Sequence, residues 1–475
     1  MDREKKIRQR IIVIAVLCLA FFVMGMSIPL LMKKPSSESN TEMDKFETVY
    51  ELLTDKWYYA NQVEELDNIL IEKAISGMTM LDEDPHTNYF SLQEAEAFSQ
   101  ALSGSNVGVG FVYAPDDNSN FVIQDVFVGS SADTAGLQRG DIITQVDSMV
   151  CSENPSEDIV AYIQKKEGKQ INIKFTRDGN EESVKVTPGS YDTTVICRLH
   201  DDYAEIILSS FSEMTGQTMA TALGRVQQAG IKKLILDLRD NTGGYLSAEV
   251  DVASSFLPEK TVVYKEKLAD GTIKEYKTND TYGQVELDQI VILQNENTAS
   301  ASEALIGALK DTIPDKVTTV GLKTYGKGTE QVSIAFKDGT SIKYTVAEWL
   351  TPNETSINNV GFEPDVPVDS ILVASVDYTE MAEDESFGPD SVHYNATALQ
   401  TFLDFLGYPV DRTDMYFSPT SSQSLAQFQA ENGLEATGVC DHQTWEVLKD
   451  KVVKEYNARK ESMDEQRNKA IELLG

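Results

Sequence analysis

The fold of this chain is decided by the stretch Leu234-Ile-Leu-Asp-Leu-Arg-Asp-Asn-Thr-Gly-Gly-Tyr245, which reads as a strand ending in paired glycines. A short apolar run bounded by turn residues is typical of a buried strand. From about residue 191 to 376, strand-like and helix-like stretches alternate on both sides of it, among them Ala204 to Leu208, Thr218 to Ala229, Tyr245 to Phe256 and Gln289 to Leu293. This alternation predicts a βα-layered domain that binds ligands at its strand ends.

The paired glycines predict a site for developing negative charge. Lacking side chains, Gly243 and Gly244 let backbone N–H groups approach a ligand closely. The stretch Thr298-Ala-Ser-Ala-Ser-Glu-Ala304 places hydroxyls just before an apolar helix. A serine there would lie at a helix N-terminus, where free N–H groups favour negative charge. The amides of Gly243, Gly244 and Ala301 are therefore expected to form an oxyanion hole.

A lysine that can act as a base follows in Tyr325-Gly-Lys-Gly-Thr-Glu-Gln331. Lys327 lies between two glycines, on a tight turn suited to carry it into a buried site. A neutral, desolvated amine can take the proton of a serine hydroxyl and so activate a nucleophile. The two stretches together predict a hydrolase.

The same region also matches part of a phosphate-binding loop, Gly-x4-Gly-Lys, from Gly321 to Lys327. That loop needs Ser or Thr directly after the lysine and then a helix. Here Gly328 follows, and Gln331 to Phe336 reads as a strand, so nucleotide binding is rejected.

Composition excludes further classes. The 475 residues carry 41 basic and 76 acidic side chains, a net charge of −35, which argues against nucleic-acid binding. Four histidines without a His-Glu-x-x-His motif argue against a metalloprotease, and neither a metal nor another cofactor is predicted. Of the four cysteines, the three that follow the N-terminal apolar run, Cys151, Cys197 and Cys440, are dispersed and are expected to be free buried thiols.

The N-terminal residues predict a membrane anchor. A basic tail, residues 1–10, precedes an almost unbroken apolar run over residues 11–32, and a polar linker covers 33–43. The run is long enough to cross a membrane, and its basic flank should stay cytoplasmic, which leaves the rest outside the cytoplasm. A cleaved signal peptide is the alternative, but its apolar region would be unusually long and its cleavage site weak.

Two regions follow the linker. Apolar residues at helical spacing predict an N-terminal helical region over residues 44–103. Residues 104–190 resemble a PDZ domain, with Gly108-Val-Gly-Phe111 followed by strand-like and glycine-turn stretches. The resemblance implies that the amides of Gly108, Val109, Gly110 and Phe111 capture a peptide's terminal carboxylate, while the peptide adds a strand to the sheet edge. A PDZ acting only as a spacer or gate stays open as an alternative.

Taken together, the motifs resemble the carboxy-terminal processing, or tail-specific, proteases. The resemblance rests on the PDZ region, on Leu236 to Gly244 and on further matches at Gly77 to Asp82, Asp84 to Tyr89, Thr298 to Glu303, Ala308 to Asp311, Tyr325 to Gln331, Trp349 to Pro352 and Gly361 to Asp365. It implies a multidomain α+β protein whose protease core, residues 191–378, is similar to crotonase and Clp protease. It also implies Ser300 as nucleophile, Lys327 as base and Gln331 as the residue that orients the lysine.

Two departures from the family pattern bear on the nucleophile. Thr298 replaces the usual first serine, which is harmless if its hydroxyl only supports the turn. A slightly long segment before Gly321 makes Ser302 the rival nucleophile, although Ser302 is better placed for a backbone hydrogen bond. A catalytically inactive scaffold with PDZ and wall-binding modules, or crotonase-like thioester chemistry, would fit parts of the same pattern. The helical region is expected to pair two protomers, as in relatives.

The C-terminal part divides into three segments. Residues 379–392 read as an acidic linker, and residues 393–450 resemble a small three-helix peptidoglycan-binding domain, best over Phe428 to Trp445. Residues 451–475 predict one charged helix. The expected partners are therefore protein or peptide substrates with exposed C-termini and, through the small domain, cell wall peptidoglycan.

Overall fold

The computed structural model describes residues 41–116, 118–369, 373 and 376–475. The predicted cytoplasmic tail, residues 1–10, and membrane segment, residues 11–32, lie outside these ranges. Across the described ranges, every helix is too short or too polar to cross a membrane. The described residues divide into two compact units, one ending at Leu81 and the other running from Asp82 to Gly475, which are described separately.

The first unit contains the predicted helices. They are α1 (Thr41–Asp55), a 3-10 turn (Ala60–Gln62) and α2 (Leu66–Thr79). Helix α1 buries none of its residues, and Phe46, Val49 and Leu52 remain exposed on it. This unit therefore presents an apolar helix surface.

The second unit begins with a short strand that the sequence reasoning missed. Strand β1 (Asn88–Phe90) is followed by α3 (Leu92–Ser103). Helix α3 starts at a capping box, because the Ser91 hydroxyl accepts from the Glu94 amide while the Glu94 carboxylate accepts from the Ser91 amide. Strand β1 pairs with β18 (Ser341–Leu350), a strand of the βα core, so residues 88–90 belong to a sheet of that core.

The predicted PDZ region forms a separate sheet. Its elements are β2 (Ser105–Gly108), β3 (Phe111–Pro115), β4 (Phe121–Val126), α4 (Ser131–Thr134), β5 (Ile142–Val146), β6 (Met149–Val150), α5 (Ser156–Lys165), β7 (Ile171–Arg177), β8 (Asn180–Val186) and β9 (Gly189–Asp192). The strands pair in the order β3-β4-β5-β7-β8, and β6 pairs with β5. Strand β3 is thus at the sheet edge, and the β2–β9 pair closes the base of the domain.

The βα core contains two sheets. Its elements are β10 (Val195–Leu199), β11 (Ala204–Leu208), α6 (Thr215–Gln228), β12 (Lys233–Asp237), α7 (Leu246–Ser254), β13 (Val262–Leu268), β14 (Ile273–Lys277), β15 (Gln289–Gln294), α8 (Ala301–Thr312), β16 (Val317–Gly321), β17 (Thr329–Ala335), β18 (Ser341–Leu350) and β19 (Val366–Pro367). One sheet has the order β10-β11-β12-β15-β16-β19, parallel from β11 onward. The other has the order β1-β18-β13-β14, with β17 also paired to β18.

The central parallel strands β12 and β15 are apolar over their middle residues, Leu234–Leu236 and Ile290–Leu293, because both of their faces are covered. On β12, Leu234 and Leu236 pack into the large cluster that includes residues of α6, α7 and α8. The intervening Ile235 packs into a second cluster on the opposite face of the sheet. Since side chains alternate between the faces of a strand, a continuous apolar run is what a doubly covered strand requires.

The C-terminal part folds as three helices with small strand pairs, and then adds a fourth helix. The elements are β20 (Ser386–Phe387), β21 (Ser391–Val392), α9 (Ala396–Phe405), β22 (Tyr416–Phe417), α10 (Pro419–Glu431), β23 (Cys440–Asp441), α11 (His442–Met463) and α12 (Glu465–Leu474). Helices α9, α10 and α11 enclose Phe402, Phe428 and Trp445. All three aromatic side chains are buried, and so belong to the domain core.

The single charged helix predicted over residues 451–475 is instead two helices. Asp464 ends α11 and caps α12, because its side chain accepts from the amide of Arg467. Helix α12 then covers the outer face of the six-stranded sheet, where Ala470 and Leu474 pack against Val291 and Leu293. Because residues 451–475 are mostly charged and polar, the few apolar residues on one side of α12 were not recognised in the sequence as a packing surface.

Candidate active site

A cleft of about 1150 Å³ brings together all but one of the predicted catalytic and oxyanion-hole residues. It lies between α3, the glycine-pair loop after β12, the turn before α8 and the β17–β18 hairpin. Its walls include five of the predicted residues, Gly243, Gly244, Ser300, Lys327 and Gln331. The cleft thus joins segments about 250 residues apart, from Ala95 to Lys343, beside the ends of the parallel strands β12 and β15.

Ser300 occupies a strained turn at the start of α8. It is the N-cap residue, with φ 58° and ψ −119°, and its relative exposure is 7%. A non-glycine residue at positive φ is unfavourable by about 1–3 kcal/mol and persists only where its surroundings hold it. Here the Ser300 amide donates to Glu303 Oε2 at 2.9 Å. The turn presents a hydroxyl to the cleft beside a helix N-terminus.

Lys327 is the candidate base, and its environment favours the neutral amine. Burial and, to a smaller extent, the ammonium of Lys343 lower the pKa of Lys327 to about 8 against the opposing effect of Glu303 and Asp84. Its carbonyl accepts from Trp349 Nε1 at 3.1 Å, and Trp349 is fully buried. The lysine backbone is therefore anchored to the core.

Gln331 belongs to a polar network beside the lysine. Its Nε2 donates to Thr329 Oγ1 at 2.9 Å and to Thr345 Oγ1 at 3.1 Å, and Thr345 Oγ1 donates to Asp84 Oδ1 at 3.0 Å. Burial raises the pKa of Asp84, but donors from Thr87, Thr345 and the His86 amide outweigh it and leave the pKa lowered. With Nε2 engaged, Oε1 is the amide atom of Gln331 suited to accept from Lys327.

The structure changes the predicted oxyanion hole. The amide of Gly243 donates to Asn241 Oδ1 at 2.9 Å, so it is used within its own turn. The amides of Gly244 and Ala301 have no acceptor among the described residues. Gly243 instead permits close approach, since a Cβ there would lie 2.8 Å from Ser300 Cβ. Gly244 and Ala301 are therefore the candidate donor pair.

The two neighbouring hydroxyls have other contacts. Thr298 Oγ1 donates to the carbonyl of Leu238 at 2.9 Å and accepts from the Asn295 amide at 2.9 Å, so it supports the turn. Ser302 is fully buried, and its Oγ donates to the carbonyl of Asn241 at 2.9 Å. The rival nucleophile is thus engaged away from the cleft.

The predicted carboxylate-binding loop of the PDZ region lies between β2 and β3. The Val109 carbonyl accepts from the Ala132 amide at 2.8 Å, and the Gly110 carbonyl accepts from the Phe127 amide at 3.1 Å. The amides of Val109 and Gly110 have no acceptor within the described part of the chain. Gly110 has φ 91°, and a Cβ there would lie 2.2 Å from Ser130 Cβ, so only glycine fits. This arrangement leaves donors available for an anion.

Two arginines of the βα core bind the PDZ region. Arg225 on α6 binds both carboxylate oxygens of Asp133, at 2.8 and 2.5 Å, and Asp133 also accepts from the Gly129 amide. Arg198 on β10 binds both oxygens of Asp125 on β4, each at 2.8 Å. Because bidentate pairs fix orientation, they hold the carboxylate-binding loop at a defined position on the core.

Three sequence models of known families match the chain. Peptidase family S41 matches residues 202–368, a PDZ domain matches 122–177, and a peptidoglycan binding domain matches 393–448. A Staphylococcus aureus (strain COL) protein named "Probable CtpA-like serine protease" is 30% identical over 426 residues, which cover 89% of this chain and 84% of that protein. The chain belongs to the CtpA-like serine proteases.

A second CtpA-like relative, from Staphylococcus haemolyticus (strain JCSC1435), is 29% identical over 435 residues, covering 91% of this chain and 86% of the relative. Among solved structures, the photosystem II D1 C-terminal processing protease is 24% identical, with a TM-score of 0.40; the match covers 70% of this chain and 94% of that one. The predicted family, its serine-type peptidase activity and the predicted fold class are confirmed.

In this CtpA-like protease, Glu303 has a part that the sequence reasoning missed. Its Oε1 accepts from Thr324 Oγ1 at 2.6 Å and from the Gly326 amide at 2.7 Å. Its Oε2 accepts from the Ser300 amide at 2.9 Å and from the Lys327 amide at 2.8 Å. Burial raises the pKa of Glu303, although all four donors oppose that shift. One buried carboxylate therefore joins the serine turn to the lysine loop.

A sequence signal for Glu303 was present. Glutamate three residues after a serine at a helix start is a capping-box pattern. It predicts the bond from the Ser300 amide. The two bonds to the loop of Lys327 arise only from the tertiary fold.

Proposed function

We propose that the chain is a membrane-anchored, extracytoplasmic serine endopeptidase of the C-terminal processing type. It recognises substrate C-termini through its PDZ domain and cuts by a Ser300–Lys327 acyl-enzyme mechanism. The observation that carries the catalytic part is the Glu303 carboxylate, which binds the amides of both Ser300 and Lys327. This buried carboxylate fixes the serine turn relative to the lysine loop, as a mechanism that passes a proton from Ser300 to Lys327 requires.

In the proposed mechanism, the neutral amine of Lys327 takes the hydroxyl proton as Ser300 Oγ attacks the scissile carbonyl. The amides of Gly244 and Ala301 bind the oxyanion of the tetrahedral intermediate. The lysine then gives the proton to the leaving amine, and an ester to Ser300 remains. Water, deprotonated by Lys327, cleaves this ester and restores the enzyme.

The lysine base predicts a specific pH dependence. Lys327 acts only when neutral, and its pKa is about 8, so kcat/KM should rise with pH and level off above that value. Below it, kcat/KM should fall roughly tenfold per pH unit, because the neutral fraction falls by that factor. The measurement is peptide cleavage by residues 35–475 between pH 5 and 10. Undiminished activity at pH 5 would exclude lysine as the base.

The PDZ part of the proposal is supported by the amides of Val109 and Gly110 and by the edge position of β3. A peptide with a free terminal carboxylate should therefore have a lower KM than the same peptide with a terminal amide, by roughly tenfold, since a charged hydrogen bond is lost. Replacing Gly110 by valine, which would collide with Ser130, should remove that difference. Equal KM values in the wild-type enzyme would contradict PDZ-guided recognition.

Location is proposed from the sequence, and assembly from the exposed apolar surface of α1. The apolar run over residues 11–32 supports a single-pass anchor, and the domain at residues 393–448 supports contact with peptidoglycan. The exposed Phe46, Val49 and Leu52 support pairing of two protomers through α1. Release of the full chain from membranes by high salt without detergent would overturn the anchor.

A further inference from the structure

Lys343 is a second lysine in the catalytic cleft. It lies on β18 and lines the same cleft as Ser300 and Lys327. The charged side chains among the described lining residues are these two lysines and the exposed Glu96. Since Lys327 must be neutral to act as a base, Lys343 supplies the positive charge of the working cleft, in a chain whose net charge is −35.

Two aromatic rings fix the ammonium of Lys343. Its Nζ lies 5.5 Å from the ring centroid of Phe90 and 5.1 Å from that of Phe98, and these rings stack at 5.0 Å. Phe90 comes from β1 and Phe98 from α3. Contacts of this kind hold a cation in place without neutralising it. The lysine is therefore preorganised, and a ligand would lose little conformational entropy in meeting it.

The fixed ammonium has no anionic partner at bonding distance among the described residues. Burial lowers the pKa of Lys343, and Asp84 partly opposes that shift. The Asp84 oxygens already accept from Thr87 Oγ1 at 2.6 Å, Thr345 Oγ1 at 3.0 Å and the His86 amide at 3.2 Å. A half-buried ammonium without a counter-ion favours an anion that arrives with the substrate.

We propose that Lys343 is a specificity-determining residue that binds an Asp or Glu side chain of the substrate in the catalytic cleft. The inference rests on the proposed function, because it takes this cleft as the place where the peptide is cut. The preferred substrates are then peptides with an acidic residue near the scissile bond. The preference for an acidic residue would then select among the peptides whose C-termini bind to the PDZ domain.

The test is a charge scan of the substrate. One Glu is moved along an otherwise neutral peptide whose last six residues and free carboxylate stay constant, and each peptide has a Gln counterpart. Wild-type enzyme should cleave the Glu peptide with roughly tenfold higher kcat/KM than the Gln peptide at one register, as a charge-assisted hydrogen bond predicts. Lys343→Met should remove the preference, and Lys343→Arg should keep it. Removing the charge of Lys343 also changes the pKa of Lys327. That change affects the cleavage of both peptides equally, so the ratio of their kcat/KM values reports on the contact with Lys343 alone.

The matched control is Lys337→Met, which removes the same charge from the exposed turn between β17 and β18 and should leave the preference intact. Binding of the same peptides to Ser300→Ala, followed by fluorescence anisotropy, gives a readout independent of cleavage. Cleavage by Ser300→Ala would overturn the proposed mechanism and leave this binding ratio as a valid test of Lys343. The assignment would be overturned if the wild-type enzyme cleaved the Glu and Gln peptides with equal kcat/KM at every position. It would also be overturned if the preference for Glu survived in Lys343→Met.

Discussion

Ser300→Ala is expected to lower kcat/KM for peptide cleavage by at least roughly a thousandfold while the protein stays folded, because the nucleophile of an acyl-enzyme mechanism has no substitute. The alanine keeps the backbone of the turn, including the amide that donates to Glu303. Lys327→Ala should have a loss of the same order, since serine and lysine act as one unit and their effects do not add. Cleavage assays and thermal melts of each variant measure the two quantities.

Ser302→Ala is the matched control for this prediction. It removes a buried hydroxyl two residues away that donates to the carbonyl of Asn241. We expect activity within about tenfold of wild type and a loss of roughly 1 kcal/mol of stability, as for an ordinary hydrogen bond. The reverse pattern, an active Ser300→Ala and an inactive Ser302→Ala, would reassign the nucleophile.

Glu303→Gln is expected to lower kcat by roughly a hundredfold to a thousandfold, with a smaller change in KM. The carboxylate accepts four hydrogen bonds, two at each oxygen. A glutamine amide nitrogen cannot accept, so two buried donors lose their partner, at about 1–3 kcal/mol each. The Ser300 turn at φ 58° is then no longer held in its strained conformation.

A control for this variant is Glu296→Gln, which removes the same charge at an exposed position shortly before the serine turn. It should leave kcat unchanged within about twofold, since an isolated exposed charge contributes little. A Glu303→Gln enzyme with wild-type kcat would show that the two catalytic segments are positioned without this carboxylate.

The sequence was informative where chemistry demands a particular residue at a particular turn. Paired glycines after a strand, a serine at a helix start and a lysine between glycines are each readable, and the fold brings all three to one cleft. The alternating strands and helices were also readable, because the central strands β12 and β15 are covered on both faces and so carry continuous apolar runs. The carboxylate-binding loop of the PDZ region could also be recognised in the sequence, because Gly110 has no room for a side chain and glycine is required there.

The features that sequence reasoning missed depend on partners distant in the chain. Whether the Gly243 amide is free depends on the orientation of the Asn241 side chain, whose Oδ1 accepts from that amide while its Nδ2 donates to the distant carbonyl of Leu208 at 2.7 Å. Strand β1 has only three residues, too few for a periodic pattern, and its pairing with β18 joins positions about 250 residues apart. The break at Asp464 follows from docking, since Arg239 binds that carboxylate at 2.9 and 2.8 Å.

Helix α12 determines where the protease core can be truncated. The S41 match stops at residue 368, yet Ala470 and Leu474 cover Ile235, Val291, Leu293 and Val320 on the outer face of the sheet. A fragment cut at residue 368 would present those four side chains to water, along with Glu205, which would lose its ion pair with Arg467. The residues that match peptidase family S41 are therefore fewer than those that the core needs to cover its sheet, and the domain at residues 393–448 lies in sequence between the core and the helix that covers it.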